Sequence, residues 1–223
     1  MIYFYLYSYR ELAHALTCPN AIYALDDGVL LNGNEFSFTS IGEVASACMP
    51  NIQDIIASVY TSEHLHSIGS AELILGGWSY GGVVASALCA LLQHQSYSGS
   101  RIIARALVLI DSPIRAAVVS AEHDFPDMGE DDVIKATAVR HFRSCTELLK
   151  QFHQREVFDA DKVACTVWDL RPHVNTYDCG IEAIWEIATG EVIRQFTDGD
   201  HWTMVFGDNA KTVAGILTDI LKR

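Results

Sequence analysis

The stretch that most constrains this chain is LILGGWSYGGVVA, residues 73–85. An apolar run ends in paired glycines, a serine stands between two aromatics, two more glycines follow, and small and apolar residues then read as a helix. Gly-x-Ser-x-Gly between a strand and a helix is the context in which that motif forms a nucleophile elbow. In so tight a turn the serine backbone is strained, and side chains two positions to either side would collide, so Gly77 and Gly81 leave them out. Ser79 Oγ is then pushed clear of the sheet edge, in front of a helix N-terminus. The N–H groups and partial positive charge there suit a developing oxyanion. A phosphate-binding turn is the other use of glycines in this setting. Here the spacing is not G-x-G-x-x-G and no lysine follows for a P-loop. A purely structural turn would leave the serine at its centre without a reason.

A chain of 223 residues, half of them hydrophobic and 19% charged, is long enough to bury a core as a single domain over 1–223. The net charge of −13 argues against nucleic acid and anionic membrane surfaces as partners. Six cysteines at 18, 48, 89, 145, 165 and 179 form no C-x-x-C. Cys89 and Cys165 sit in apolar runs, where reduced thiols are expected, so the chain reads as a protein of a reducing, cytoplasmic compartment. The opening Met1 to Tyr7 lacks a positively charged start and a small-residue cleavage site, and reads as a strand rather than a signal peptide. No run is long enough to span a membrane.

Strand and helix signals alternate along the chain. Residues 2–7 predict a strand. Ser8 to Leu16 predicts a helix with Leu12, Ala13, Ala15 and Leu16 inward. Ala21–Leu25 predicts a short strand, and 28–39 an irregular stretch. Ser40 with Glu43 predicts a capping box opening a helix towards Val59, interrupted at Pro50. Ala71–Leu75 is the elbow strand and Gly82 to His94 its helix. Residues 96–100 predict a loop, Ala106–Ile110 a buried parallel strand, Val163–Trp168 and Val192–Phe196 two more strands, and Lys211 to Leu221 a closing helix. Periodicity weakens from Ser112 and returns as helix from Asp131 to Phe158, so 112–158 reads as a lid-like insertion. The fold class is α/β: a mostly parallel sheet with helices on both faces.

A serine nucleophile needs a base in reach, and the base needs an acid to hold its tautomer. Among nine histidines, His201 in Asp198-Gly199-Asp200-His201-Trp202-Thr203-Met204 follows the last strand and precedes the last helix. A loop there projects at the same sheet edge as the elbow. For the acid, Asp111 ends one strand and Asp169 another. Either gives the order Ser, Asp, His, both also fit ordinary strand-end turns, and spacing does not choose. His64 and His66 beside Glu63 lack a third ligand at a telling spacing, so the sequence supplies no metal site and calls for no cofactor. Glu130, Asp131 and Asp132 read as a solvated helix start. Trp78 and Tyr80 flank the nucleophile.

The elbow, Leu107-Val108-Leu109-Ile110-Asp111-Ser112-Pro113 and Asp200-His201-Trp202-Thr203-Met204 together resemble the thioesterase domains of polyketide synthases and nonribosomal peptide synthetases, within the α/β-hydrolase superfamily. The similarity is greatest to terminal domains of fungal non-reducing polyketide synthases, and runs from Ser8-Tyr9 onward. The resemblance implies Asp111 rather than Asp169 as the acid, and a helical lid at 112–158. It also implies release of an acyl chain from the phosphopantetheine arm of an acyl carrier protein or polyketide synthase, by hydrolysis or cyclisation through an acyl-Ser79 ester. Trp78 and Trp202 are pocket candidates. Family members place a Pro- and Gly-rich oxyanion turn after the first strand, whereas Ile2–Tyr7 runs into Ser8-Tyr9 without glycine. The first strands are therefore expected to be shortened, leaving the Tyr80 N–H as oxyanion donor. Two other readings of the same residues are a small-ester or lactone hydrolase and a non-catalytic module that binds a carrier protein or acyl chain.

Overall fold

The computed structural model describes residues 2–3, 9–19, 21–26, 37–94, 96–97, 100–114, 132–154, 162–174 and 181–222. Its strands are β1 (Ile2–Tyr3), β2 (Leu25–Asp26), β3 (Ser70–Trp78), β4 (Ser96–Tyr97), β5 (Ser100–Ile110), β6 (Thr166–Pro172) and β7 (Val192–Thr197). Its helices are α1 (Arg10–Ala15), α2 (Ile41–Val59), α3 (Ser62–Ile68), α4 (Tyr80–His94), α5 (Asp132–Gln154), α6 (Ile181–Ile187) and α7 (Gly207–Lys222). The main sheet runs β3-β5-β6-β7, all parallel, with β4 folded back antiparallel on β5. β1 and β2 form a separate parallel pair. Residues 4–8 and 27–36, which adjoin these two strands, lie outside the described residues, and with them the expected shortening.

Parallel strands covered on both faces need apolar side chains on both, and β5 shows how they are divided. Ala106, Val108 and Ile110 join a core with Leu12 of α1 and Val213, Ala214 and Leu217 of α7. Leu107 and Leu109 join the other core with α2, α4 and the α5 residues Cys145, Leu148 and Leu149. Earlier in the strand the parity is reversed, since Ile102 and Ala104 face the second core. The register explains the switch: Leu73 pairs with Ala104 and Ile74 with Ala106, so Arg105 is an extra residue that turns the alternation over. From there Leu107 and Leu109 share a face, and the strand ends at Ile110 just before Asp111.

Several elements differ from the sequence expectations. α2 continues through Pro50, whose side is exposed. The capping box is as expected, since Ser40 Oγ accepts the Glu43 N–H at 3.2 Å, and Glu43 Oε2 accepts the Thr39 N–H as well. Ala13 is exposed although Leu12 is buried. Residues 96–97 form a hairpin strand in place of a loop, because their partner β5 begins at Ser100 rather than Ala106. Val163 makes only an isolated bridge to Ala188, and β6 starts three residues later. Asp169 consequently lies inside a strand, not at its end. α3 and α6 were not expected. Of the lid-like segment, 115–131 and 155–158 lie outside the described residues, as do Glu130, Asp131 and Cys179. The described helix α5 packs into the core of the elbow helix. The five described cysteines form no disulfide with one another, and Cys89 and Cys165 stand with their sulfurs 3.6 Å apart.

Candidate active site

β3 ends in the elbow. Ser79 has φ of +54°, the left-handed region that non-glycine residues rarely enter. The turn is pinned because the Ser79 N–H donates to Ile110 O of the neighbouring strand at 2.9 Å, and the Gly82 N–H donates to Ser79 O at 3.0 Å. A Cβ on Gly77 would lie 2.2 Å from the Gly81 carbonyl carbon, so that glycine is obligatory. A Cβ on Gly82 would lie 1.8 Å from Ser112 Oγ. The second glycine pair therefore also makes room for the strand end that carries Asp111. Tyr80 opens α4, so its N–H lies in the first helical turn, where N–H groups point out along the axis. The Trp78 N–H donates to the buried Tyr9 hydroxyl at 2.8 Å, which ties α1 to the elbow.

The structure brings Asp111 and His201 together, 90 residues apart in sequence. Asp111 Oδ2 lies 2.7 Å from His201 Nδ1, and both side chains are buried. Asp111 also has a left-handed backbone, φ +40°, and its N–H donates to Leu170 O of β6 at 2.8 Å. Its second oxygen, Oδ1, accepts from Arg171 Nη1 at 3.0 Å. Asp169 is buried too, but its partners are Arg171 Nε at 2.8 Å and Arg194 Nε at 2.7 Å rather than His201. Asp169 pairs with Arg194 across the ladder and shares a face of β6 with Arg171 two residues on.

His201 is held from three sides. Its ring lies 5.1 Å from that of Trp78 and 4.9 Å edge-on from that of Trp202, and its backbone oxygen accepts from Trp78 Nε1 at 3.0 Å. The two tryptophans meet each other edge to face at 5.9 Å. Asp200 braces the loop from below: its Oδ1 accepts the Trp202 N–H at 2.9 Å, the Thr203 N–H at 2.8 Å and the Thr203 hydroxyl at 2.9 Å. The Thr203 N–H, then its hydroxyl, with the Trp202 N–H adding less, keep the Asp200 carboxyl below the usual carboxylate range against the opposing effect of burial. Gly199 adopts φ of +89°, where a Cβ would meet Asn209. The loop ends at Gly207, whose N–H donates to Glu11 of α1.

A groove of about 430 Å³ runs along the outer edge of β3, lined by Leu16, Ile52, Ile56, Leu75 and Leu217 among others. Ser79, Asp111, His201, Trp78 and Trp202 are not part of its lining. His64 lies exposed on α3, stacked on Tyr60, and the His66 side chain lies outside the described residues. Among the described residues no group of three or more His, Cys, Asp or Glu could hold a metal. No described helix is long and apolar enough to cross a membrane. Sequence reasoning missed Arg171, Arg194 and Tyr9. For Arg171 a signal existed: Asp-x-Arg inside an apolar strand places opposite charges on one face, and such charges are buried only when paired.

The thioesterase domain family model matches residues 8–221. Thioesterase AMT4 of Alternaria alternata is 24% identical over 170 residues, which cover 70% of this chain and 63% of that protein. The chain thus spans less than two thirds of the length of that curated relative. Among solved structures, the Vlm2 thioesterase domain bound with a dodecadepsipeptide superposes with a TM-score of 0.69 at 19% identity, covering 96% of this chain and 87% of the other. RedJ, a thioesterase of the prodiginine pathway of Streptomyces coelicolor, gives 0.64 at 14% identity, covering 96% and 84%. The four-domain nonribosomal peptide synthetase AB3403 gives 0.66 at 15% identity, with 97% of this chain matching 18% of that one.

Proposed function

The chain belongs to the thioesterase domain family, and from that premise we propose that it is a serine acyl-thioesterase. The observation that carries this reading is the buried Asp111–His201 pair, docked onto Trp78, the residue that precedes a left-handed Ser79. His201, oriented through Nδ1 by Asp111, takes the Ser79 hydroxyl proton on its other nitrogen. Ser79 Oγ bonds to the thioester carbonyl carbon, and the Tyr80 N–H stabilises the oxyanion. As the C–S bond breaks, the thiol leaves with the proton held by His201, and an acyl-Ser79 ester remains. Water, or a hydroxyl or carbon nucleophile of the acyl chain, resolves that ester by hydrolysis or cyclisation.

The substrate is a polyketide-type acyl chain on the phosphopantetheine arm of an acyl carrier protein or polyketide synthase. Two things support this: thioesterase domains of peptide synthetases and of the prodiginine pathway share the fold, and the residues resemble polyketide-synthase terminal domains. The phosphopantetheine belongs to the carrier, so the chain itself needs no cofactor. Incubation with an acyl-pantetheine, followed by intact-mass analysis, tests the reading. An acyl adduct that maps to Ser79 and is lost in Ser79→Ala supports it. Folded protein that forms no adduct and resists a fluorophosphonate probe rejects it in favour of a non-catalytic binding module. An adduct from oxygen esters but not from thioesters points to the small-ester hydrolase.

A further inference from the structure

We propose that Arg171 is a positioning residue for the Asp111–His201 pair, an inference that rests on the serine thioesterase reading above. An aspartate carboxylate turns easily about its last torsion, so an acid held through one oxygen only would not keep the imidazole in a fixed direction. Here the other oxygen is taken. Arg171 uses three nitrogens in three directions: Nη1 to Asp111 Oδ1 at 3.0 Å, Nη2 to Ser112 O at 2.7 Å, and Nε to Asp169 Oδ1 at 2.8 Å. A guanidinium fork anchored at three points has no freedom left, and the carboxylate inherits its orientation. Asp169 is in turn fixed by Arg194, so the array runs Arg194–Asp169–Arg171–Asp111–His201.

The charges in that array balance. Asp111 and Asp169 supply two carboxylates, and Arg171 and Arg194 two guanidinium groups. Both aspartates and Arg171 are fully buried, so removing Arg171 alone leaves a buried carboxylate uncompensated. Lysine would restore the charge but not the planar fork, since one ammonium cannot reach three acceptors set around a guanidinium. The same bond to Ser112 O steadies the strand end whose Ser112 side chain fills the space above Gly82. Arg171 thereby connects the acid and the elbow.

The test uses the full chain with Arg171→Lys, and a second variant, Arg171→Met with Asp169→Leu, that removes one charge of each sign and keeps the fold's electrostatic balance. Each is checked for folding by circular dichroism. The limiting rate of Ser79 labelling by a fluorophosphonate is then measured per folded molecule. The expected result is a fall of about 10²-fold, smaller than the roughly 10⁴-fold that loss of a triad acid brings, with the half-saturating probe concentration unchanged. The proton spectrum gives an independent readout that a merely structural residue would not move. A downfield His201 Nδ1–H signal is expected in the parent, from the 2.7 Å contact with Asp111, and should shift upfield or vanish in both variants. Folded variants that label at the parent rate and keep that signal overturn the proposal. If the parent itself is not labelled, the serine reading fails while the proton signal still decides whether Arg171 positions the pair.

Discussion

The two ends of the central strands are held together by different physics. At the carboxyl end sit both described non-glycine residues with positive φ, Ser79 and Asp111. Every Asp and Arg that is buried among the described residues is there as well: Asp111, Asp169 and Arg171. At the amino end, among the described residues, neutral groups supply fastenings of another kind. The Gln93 amide donates to Lys162 O at 2.7 Å and accepts the Ala164 N–H at 2.6 Å, the Cys89 and Cys165 thiols meet, and Val163 donates to Ile187 O. Around them Leu88 and Leu92 of α4 are fully buried. Strain and buried charge destabilise a fold unless they are fully partnered. Their confinement to one end implies that this end is arranged for chemistry, and the other for cohesion.

That division predicts separable phenotypes. The largest effect is expected from Ser79→Ala, which removes the proposed nucleophile. The kcat for an acyl-pantetheine should fall by about 10⁶-fold, with covalent labelling abolished and the urea midpoint nearly unchanged. An alanine variant that still labels would place the nucleophile elsewhere and dissolve the contrast between the ends.

The two aspartates sharpen it. Asp111→Asn changes the tautomer that His201 is held in and should lower kcat by about 10⁴-fold. Asp169→Asn touches neither His201 nor Ser79, but removes the carboxylate charge shared by Arg171 Nε and Arg194, while Arg171 keeps its bonds to Asp111 and Ser112 O. It should cost stability, about 3 kcal/mol as for other broken buried pairs, with a much smaller loss of rate per folded molecule. Chemical denaturation and single-turnover rates on the same preparations separate the two outcomes. Equal rate losses would mean that the acid cannot be assigned from the 2.7 Å contact with His201.

How far this arrangement was legible in the sequence follows the same divide. The elbow could be read because its chemistry is local: Gly77 is demanded by atoms four residues away. The order of strands and helices could be read because a buried parallel strand such as Leu107–Ile110 leaves an unbroken apolar run. Spacing left Asp111 and Asp169 equivalent, because what distinguishes them is which one the His201 loop reaches. Arg194 meets Asp169 only through the β6–β7 register, and Arg171 reaches Asp111 only because β5 and β6 are neighbours. The reversal of faces at Arg105 is likewise a property of the β3–β5 pairing, invisible in either strand alone. Pro50 misled for another reason: α2 buries a long stripe from Ile41 to Ile56, and that packing outweighs the local cost of a helical proline.

At the amino end, Leu92→Ala should show the converse phenotype. Leu92 is fully buried near the end of α4 farthest from Ser79, and truncation of such a side chain costs about 2–5 kcal/mol. Denaturation midpoints should fall accordingly, while the fluorophosphonate labelling rate per folded molecule stays within about twofold. A rate loss as large as that of Asp111→Asn would show that α4 transmits packing changes to the elbow and that the two ends are not independent.

The smallest expected effect concerns pH and lies at the boundary between the two kinds of fastening. Asp200 is partly exposed, yet it holds the loop of His201 through three hydrogen bonds to Oδ1. Those bonds favour the ionised carboxylate, chiefly through the Thr203 N–H, so its folded value lies below the unfolded one. A group shifted in that direction contributes stability that is complete above its unfolded pKa, about 3.9, and lost as pH falls through the folded value. Wild type and Asp200→Asn should therefore differ by a constant amount, about 1 kcal/mol as for a lost helix cap, from pH 7 down to about pH 5. Below about pH 4 the gap should close, because protonated Asp200 then offers no more than the amide does. Urea titrations of both proteins between pH 7 and pH 3 measure it directly. A gap that persists undiminished at pH 3 would mean that the shape of the side chain, not its charge, braces the histidine loop.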